Sequence, residues 1–395
     1  MAVKNRTPKA IRIETFLVGR PWNNLLIVRI TADNGLTGLG EGTMQWQAKT
    51  VETAAVTLFR RYVIGNSVFE IERLVQAMYR NEYARGGPVL NSAIAAIEMA
   101  LWDICGKHLG RPVHDLLGGR VRDSMPAYAN GWTGAGKDPD DLHGAAREVV
   151  AQGFTALKFD PFWALGRDPA TADIRRGMEK VAIVRDAVGP DVDILVDGHG
   201  RFSVGTAIDV GRRLADYDVY WFEEPVDPEN AQALAKVGRS IPVRLATGER
   251  CYSRYHVPQL LAASEVAILQ PDPIQVGGIL ESRKIAAIAD SAYVTVSFHS
   301  PFGPVATAAA LQIDACTTNV WKQESFSAFD VPWRQQLVRN CPMPNDGSYA
   351  ISSEPGLGGI ELNDEVAREH PYREEGLESM WQENGGMTAW LDTLM

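Results

Sequence analysis

Along residues 11–43 apolar and polar positions alternate, the period of a strand with one buried face, and the alternation breaks at Asp33-Asn34-Gly35, a strong hairpin turn signal. A small antiparallel sheet is expected there. Farther on, Ile94, Ile97, Leu101 and Ile104 recur at helical spacing within PVLNSAIAAIEMALWDICGKHLGRP, and Gly110 and Pro112 stop that helix. Residues 1–124 therefore read as an α+β domain.

From about residue 125 the texture changes. Short apolar runs at 155–160, 192–197, 218–224, 242–249, 266–272, 292–299 and 317–324 are separated by longer stretches of helical period. One such stretch places Ile174, Met178, Val181, Val184 and Val188 on a single face and ends at Gly189-Pro190. Near-continuous apolar strands alternating with helices mean a parallel sheet covered on its outer face. With an earlier strand at MPAYAN, 125–130, there are about eight βα units, an α/β barrel.

The polar residues that end these strands recur with a period. Asp197 to Glu223 is 26 residues, Glu223 to Glu249 is 26, Glu249 to Asp272 is 23, Asp272 to His299 is 27 and His299 to Glu324 is 25. Each βα unit thus delivers one acid or imidazole to the C-terminal end of its strand, the end of a barrel where active sites are built. Asp197, Glu223 and Glu249 then converge. Two carboxylates about 4 Å apart repel by roughly 4 kcal/mol at an effective dielectric near 20, so three together call for a cation. Oxygen-only ligands favour Mg2+ over Zn2+. The adjacent Glu224 is expected to point elsewhere and to pair with a basic group.

The bulk numbers narrow the class. The chain has 395 residues, 45% hydrophobic and 22% charged, as expected of a soluble globular protein. A net charge of -10 speaks against a nucleic-acid partner. No run of residues approaches a membrane span, and the basic N-terminus lacks the apolar stretch of a signal peptide, so a cytoplasmic location without membrane association is expected. The four cysteines are scattered without a CxxC pair, which argues against a zinc site or a disulfide framework.

YWFEEP, ATGER, QPDPIQVGGI, SFHSPFGPVA and KQES together resemble the barrel of the enolase superfamily, in its mandelate racemase branch. ARGGPVLNSAIAAIEMALWDICGK and VDGHGRFS are closer still to the galactonate dehydratase-like acid-sugar dehydratases. The resemblance implies a modified TIM (β/α) barrel spanning 125–352, an α+β capping domain at 1–124 with active-site loops, and a C-terminal segment, 353–395, that returns to the cap. It carries the metal-ligand role onto Asp197, Glu223 and Glu249. His299 is then the base that takes the α-proton of a sugar acid, with Asp272 fixing its tautomer, and His199 the acid that expels the 3-hydroxyl. Lys158 steadies the substrate carboxylate or screens the acids, and Glu324 hydrogen-bonds the enediolate while protonated.

Where many relatives have Lys-x-Lys this chain reads Lys158-Phe159-Asp160, so a second lysine base is absent and racemisation is disfavoured. Asp160 binds a substrate hydroxyl or caps a turn. In the cap, Trp22, Trp46 and Arg85 are the candidates for contacting the substrate. The expected activity is Mg2+-dependent dehydration of an aldonate-type sugar acid to its 2-keto-3-deoxy acid, by a homo-oligomer as is usual among such relatives. The rivals are an isomerase on the same enediolate (an epimerase, or a lactone or anhydro-sugar acid cycloisomerase) and a catalytically silent metal-binding relative.

Overall fold

A computed structural model describes residues 7–134, 141–163, 165–263 and 265–374. Its N-terminal part is a three-stranded antiparallel sheet of β1 (Ala10–Gly19), β2 (Asn24–Ala32) and β3 (Thr37–Glu41), in that order. The hairpin between β2 and β3 turns at the expected site, with Gly35 at φ +86° and Asn34 Oδ1 accepting Leu36 N–H at 3.2 Å. Helices α1 (Ala48–Leu58) and α3 (Pro88–Leu109) pack on this sheet, and α2 (Ile71–Arg80) packs on α3.

Two glycines show how closely α3 lies on β3. A Cβ at Gly38 would come within 2.1 Å of Ala100 O, and one at Gly40 within 1.8 Å of Ala96 O. Contrary to the sequence expectation, α3 is long and apolar enough to cross a membrane, yet most of it is buried within the fold. It is a core helix with neighbours on nearly every side, hence apolar all round. Proline at its first turn and left-handed Gly110 after its last fix both ends.

Eight parallel strands follow: β4 (Ser124–Ala129), β5 (Ala156–Phe159), β6 (Asp193–Asp197), β7 (Val219–Glu223), β8 (Arg244–Thr247), β9 (Val266–Leu269), β10 (Thr295–Val296) and β11 (Gln323–Ser325). Their pairing runs in sequence from β4 to β10, with β11 against β4. The ring closes through a parallel bridge between Val296 and Val320. All eight fall where the apolar runs placed them. The seventh is shorter than its run, two residues, although Ser297 N–H to Leu269 O at 3.0 Å carries the pairing one step further. The start of β4 also takes an antiparallel partner, Ser348–Ala350.

Inside the barrel one side chain from each of β4 to β9 (Tyr128, Ala156, Leu195, Trp221, Ala246, Ile268) forms a packed layer, with Trp321 against it. This layer is the floor on which the polar strand ends stand. The four cysteines are free.

Buried carboxylates join the two parts. Glu98 of α3 accepts the N–H groups of Ile279 (2.9 Å) and Leu280 (3.0 Å) at the start of one barrel helix. Glu41, at the end of β3, does the same for Gly303 (2.7 Å) and Ala306 (2.9 Å) at another. Helix N-termini offer unpaired donors and a positive dipole end, so each contact satisfies a buried acid and a helix together. From the C-terminal side, His370 O accepts from Gly19 N–H at 2.9 Å, and Asp364 pairs with Arg29 at 2.8 Å.

Candidate active site

Asp197 and Glu223 are the last residues of β6 and β7, and Glu249 stands two residues past β8. One oxygen from each lies within 4.8 Å of the others. Glu223 is fully buried: Oε1 accepts from Lys158 Nζ at 2.7 Å, and Oε2 from Gln270 Nε2 (2.8 Å) and Trp221 Nε1 (3.2 Å). Burial, and then the charge of Asp197, push Glu223 up to about 8. Asp197 goes the other way. Burial opposes it, but His199 and Lys158 hold its carboxyl below the usual range. A buried acid pushed upward by burial and by a neighbouring carboxylate, in an all-oxygen cluster, is the arrangement a hard divalent ion fits.

Lys158 projects from β5 into this cluster, 3.1 Å from Glu324 and 3.4 Å from Asp197 as well as 2.7 Å from Glu223. Burial alone favours a neutral amine, yet Glu223 and Glu324 raise Lys158 well above its ordinary value. Of the two roles expected for it, charge compensation of the acids is the one visible in these contacts. Glu224, whose backbone takes φ +34°, turns outward to Arg250 Nε at 2.7 Å, the basic partner expected for it.

His299 lies three residues past β10, with Nδ1 2.7 Å from Asp272 Oδ2 and Nε2 3.3 Å from Glu249. Asp272 Oδ1 accepts the N–H of Ile274 at 2.7 Å, so its second oxygen is fixed on the ring. Burial works to lower His299, but Glu249 and Glu324 outweigh it and bring it up to about 10. A divalent ion among the acids would oppose that rise. Glu324 departs from expectation. Lys158, His299, the Ser300 N–H at 2.6 Å and Asn130 Nδ2 at 2.7 Å overcome burial and hold it below the usual carboxylate range. In these contacts it acts as an acceptor.

His199 follows Asp197 in a tight turn with left-handed backbone, φ +47°, a conformation costing a non-glycine residue about 1 kcal/mol. Gly198 N–H to Glu223 O (2.8 Å) and Gly200 N–H to Glu224 O (2.7 Å) hold the turn on β7, and His199 N–H reaches Asp197 Oδ1 at 2.8 Å. The ring's Nδ1 is 2.8 Å from Asp160 Oδ2. Asp160 is therefore not free for a substrate hydroxyl. Oδ2 also accepts from Arg201 at 2.8 Å, and Oδ1 accepts the N–H of Phe162 at 2.8 Å, the turn-capping role that was its alternative.

The cap candidates are less uniform. Trp22 packs against Phe326, just past β11, at 5.9 Å between rings, with the buried Arg20 guanidinium 4.2 Å from its ring centre. Arg20 itself pairs with Asp330 at 2.6 Å, fixing this loop to the barrel. Trp46 is 40% exposed with a left-handed backbone, and Arg85 is exposed in the loop before α3; no hydrogen bond joins either to the acid cluster.

Several partners escape a strand-end count. Gln270 stands two residues before Asp272, Asn130 directly follows β4, and Arg201 stands two residues past His199. The polar residue ending MPAYAN signals Asn130. Nothing in the local pattern singles out Gln270 or Arg201.

The fold agrees with that of known proteins. Residues 2–118 match the model of the mandelate racemase / muconate lactonizing enzyme N-terminal domain, and residues 141–366 that of the enolase C-terminal domain-like family. The D-gluconate dehydratase of Thermoproteus tenax is 35% identical, over 91% of this chain and 73% of its own. The D-galactonate dehydratase of Ralstonia pickettii (strain 12J) is 39% identical, over 89% of this chain and 91% of its own. Among solved structures, a mandelate racemase/muconate lactonizing enzyme from Sulfitobacter sp. superposes with TM-score 0.88 and 31% identity, covering 95% of this chain and 98% of that one.

Proposed function

The chain belongs to the mandelate racemase / muconate lactonizing enzyme family of the enolase superfamily, and from that premise we propose that it is a hydro-lyase that dehydrates an aldonate-type sugar acid, of the D-gluconate or D-galactonate kind, to its 2-keto-3-deoxy acid. Enzymes of this superfamily bind a divalent metal. Asp197, Glu223 and Glu249 are the cluster that would hold it, and the hard oxygen donor set favours Mg2+. Bound there, Mg2+ supplies a Lewis acid for the substrate carboxylate and for the charge that develops on it.

The remaining steps belong to the chain. His299, its Nδ1 held by Asp272, takes the C2 proton at Nε2. Lys158 supplies positive charge beside the acids, where the enediolate's negative charge accumulates. His199 then donates a proton to the departing C3 hydroxyl. The packed layer beneath closes the barrel floor, so substrate enters from the cap side. The observation that carries this reading is the presence of two histidines, each within 2.8 Å of an aspartate, beside one acid cluster. Elimination needs a base at C2 and an acid at C3.

The same pair favours a second reading. Two acid–base groups beside one carbon also suit epimerisation, whatever the missing second lysine removes. Incubation of the purified protein and Mg2+ with a panel of aldonates, aldarates and anhydro-sugar acids, read by mass spectrometry, separates the two. Dehydration gives a product lighter by one water, and isomerisation leaves the mass unchanged. A cytoplasmic homo-oligomer, with the cap loops around Trp22, Trp46 and Arg85 setting which sugar acid is accepted, completes the proposal.

A further inference from the structure

The two histidines are held in the same way. Asp272 and Asp160 each stand just beyond a barrel strand, and a proline follows each. In each, Oδ1 accepts the N–H two residues on, Ile274 at 2.7 Å and Phe162 at 2.8 Å. Oδ2 of each meets the Nδ1 of a histidine past the next strand, His299 at 2.7 Å and His199 at 2.8 Å. Each ring also meets an aromatic edge-on: Phe302 beside His299 at 5.9 Å and 90°, Trp163 beside His199 at 5.8 Å and 88°. The pairs sit on β5–β6 and on β9–β10, four strands apart around the ring.

From this repetition we propose that Asp160, clamped by Arg201, is a positioning residue for His199, as Asp272 is for His299. The proposal rests on the dehydratase reading for its catalytic consequence and on the geometry alone for its structural one. A carboxylate can only accept, so the proton on Nδ1 is fixed and Nε2 is the ring nitrogen left to face substrate. Arg201 donates to Asp160 at 2.8 and 3.3 Å, so the carboxylate cannot turn away from the ring without losing those bonds. In the elimination step the C3–O bond breaks with its electron pair leaving on oxygen. His199 enters this step as an imidazolium with a proton on each nitrogen. Its Nε2 proton joins that oxygen to form water, the ring is left neutral with its Nδ1 proton on Asp160, and the enediolate electrons become the C2=C3 double bond. An asparagine at 160 would keep its carbonyl oxygen for Arg201 and Phe162 N–H and present its amide N–H to the ring. Nδ1 would then have to accept, and the tautomer would reverse.

The test uses the full chain. In the Mg2+-loaded protein, at a pH where the ring is neutral, nitrogen-15 NMR of the histidines, with His199→Gln to identify the resonance, should place the proton of His199 on Nδ1 in the wild type and on Nε2 in Asp160→Asn. With Mg2+ and the sugar acid found active in the screen, Asp160→Asn should lose dehydration at least 100-fold in kcat with KM within about threefold. Exchange of the C2 proton with deuterated solvent should stay within about threefold of wild type. Adding His199→Asn should cost nothing further. Unchanged tautomer, unchanged dehydration, or parallel loss of exchange and dehydration would each overturn the proposal. If the wild type dehydrates nothing, the dehydratase reading fails, and the NMR result still decides the clamp.

Discussion

Lys158 Nζ lies 2.7 Å from Glu223 Oε1, and the same ammonium reaches Glu324 at 3.1 Å and Asp197 at 3.4 Å. A lysine that pairs with two proposed metal ligands competes with the metal for their charge. At about 4 Å and an effective dielectric near 20, unit charges interact by roughly 4 kcal/mol, so this competition is measurable. Lys158→Met is predicted to bind Mg2+ at least tenfold more tightly in calorimetric titration without substrate. The metal-free variant should lose about 3–5 kcal/mol of stability, because three buried acids lose their partner. Equal or weaker Mg2+ binding would show that Lys158 is not their counter-charge.

Glu223 must give up its proton to bind metal. With the metal-free group pushed up to about 8, Mg2+ affinity should rise with pH by up to about tenfold per unit and level off above about 8. Glu223→Gln should abolish both the binding and the rise in Tm that accompanies it in the wild type, where Mg2+ at a hundred times Kd stabilises the fold by about 2.7 kcal/mol. A pH-independent affinity, or Mg2+ stabilisation retained in the variant, would place the metal elsewhere.

His299 is fixed by Asp272 and is the proposed base. His299→Asn should reduce C2 proton exchange in deuterated solvent by about 10²–10⁴-fold, with substrate binding little changed. Exchange at the wild-type rate would assign proton abstraction to another group.

Asp314, on the barrel helix Pro304–Ala315, is buried, and neither of its carboxylate oxygens has a hydrogen-bond partner among the described residues. Burial pushes it up to about 8, against a weaker pull from Arg122. Because the folded-state value is raised above the unfolded one, the folded protein binds the extra proton. Its stability contribution is full below about pH 4 and is lost as pH rises to about 8. Asp314→Asn should therefore gain stability over wild type as pH increases through that window, read as the difference in urea midpoints. A difference that is flat with pH would mean the carboxyl is solvated or paired.

What the sequence makes legible follows from periodicity. The βα period carries Asp197, Glu223, Glu249, Asp272, His299 and Glu324 to successive strand ends, because a parallel barrel brings every such end to one face. Contacts made between loops are not legible this way. Asp160 meets His199 across 39 residues only because left-handed backbone at His199 turns the ring back toward β5. The lowered carboxyl of Glu324 depends on Lys158, Asn130 and the Ser300 N–H, which come from three different segments. The apolar length of α3 marks burial rather than a membrane only once its neighbours are known. Trp46 and Arg85 illustrate a further limit: loop residues carry no period to say which way they face.

The most direct test of the central claim is the position of deuterium in the product of a reaction run with Mg2+ in deuterated water. Dehydration followed by ketonisation of the enol places one solvent deuteron at C3 of a 2-keto acid that has lost one water, and none at C2. A product of unchanged heavy-atom formula carrying deuterium at C2 would contradict the account and make the protein an isomerase built on the same intermediate.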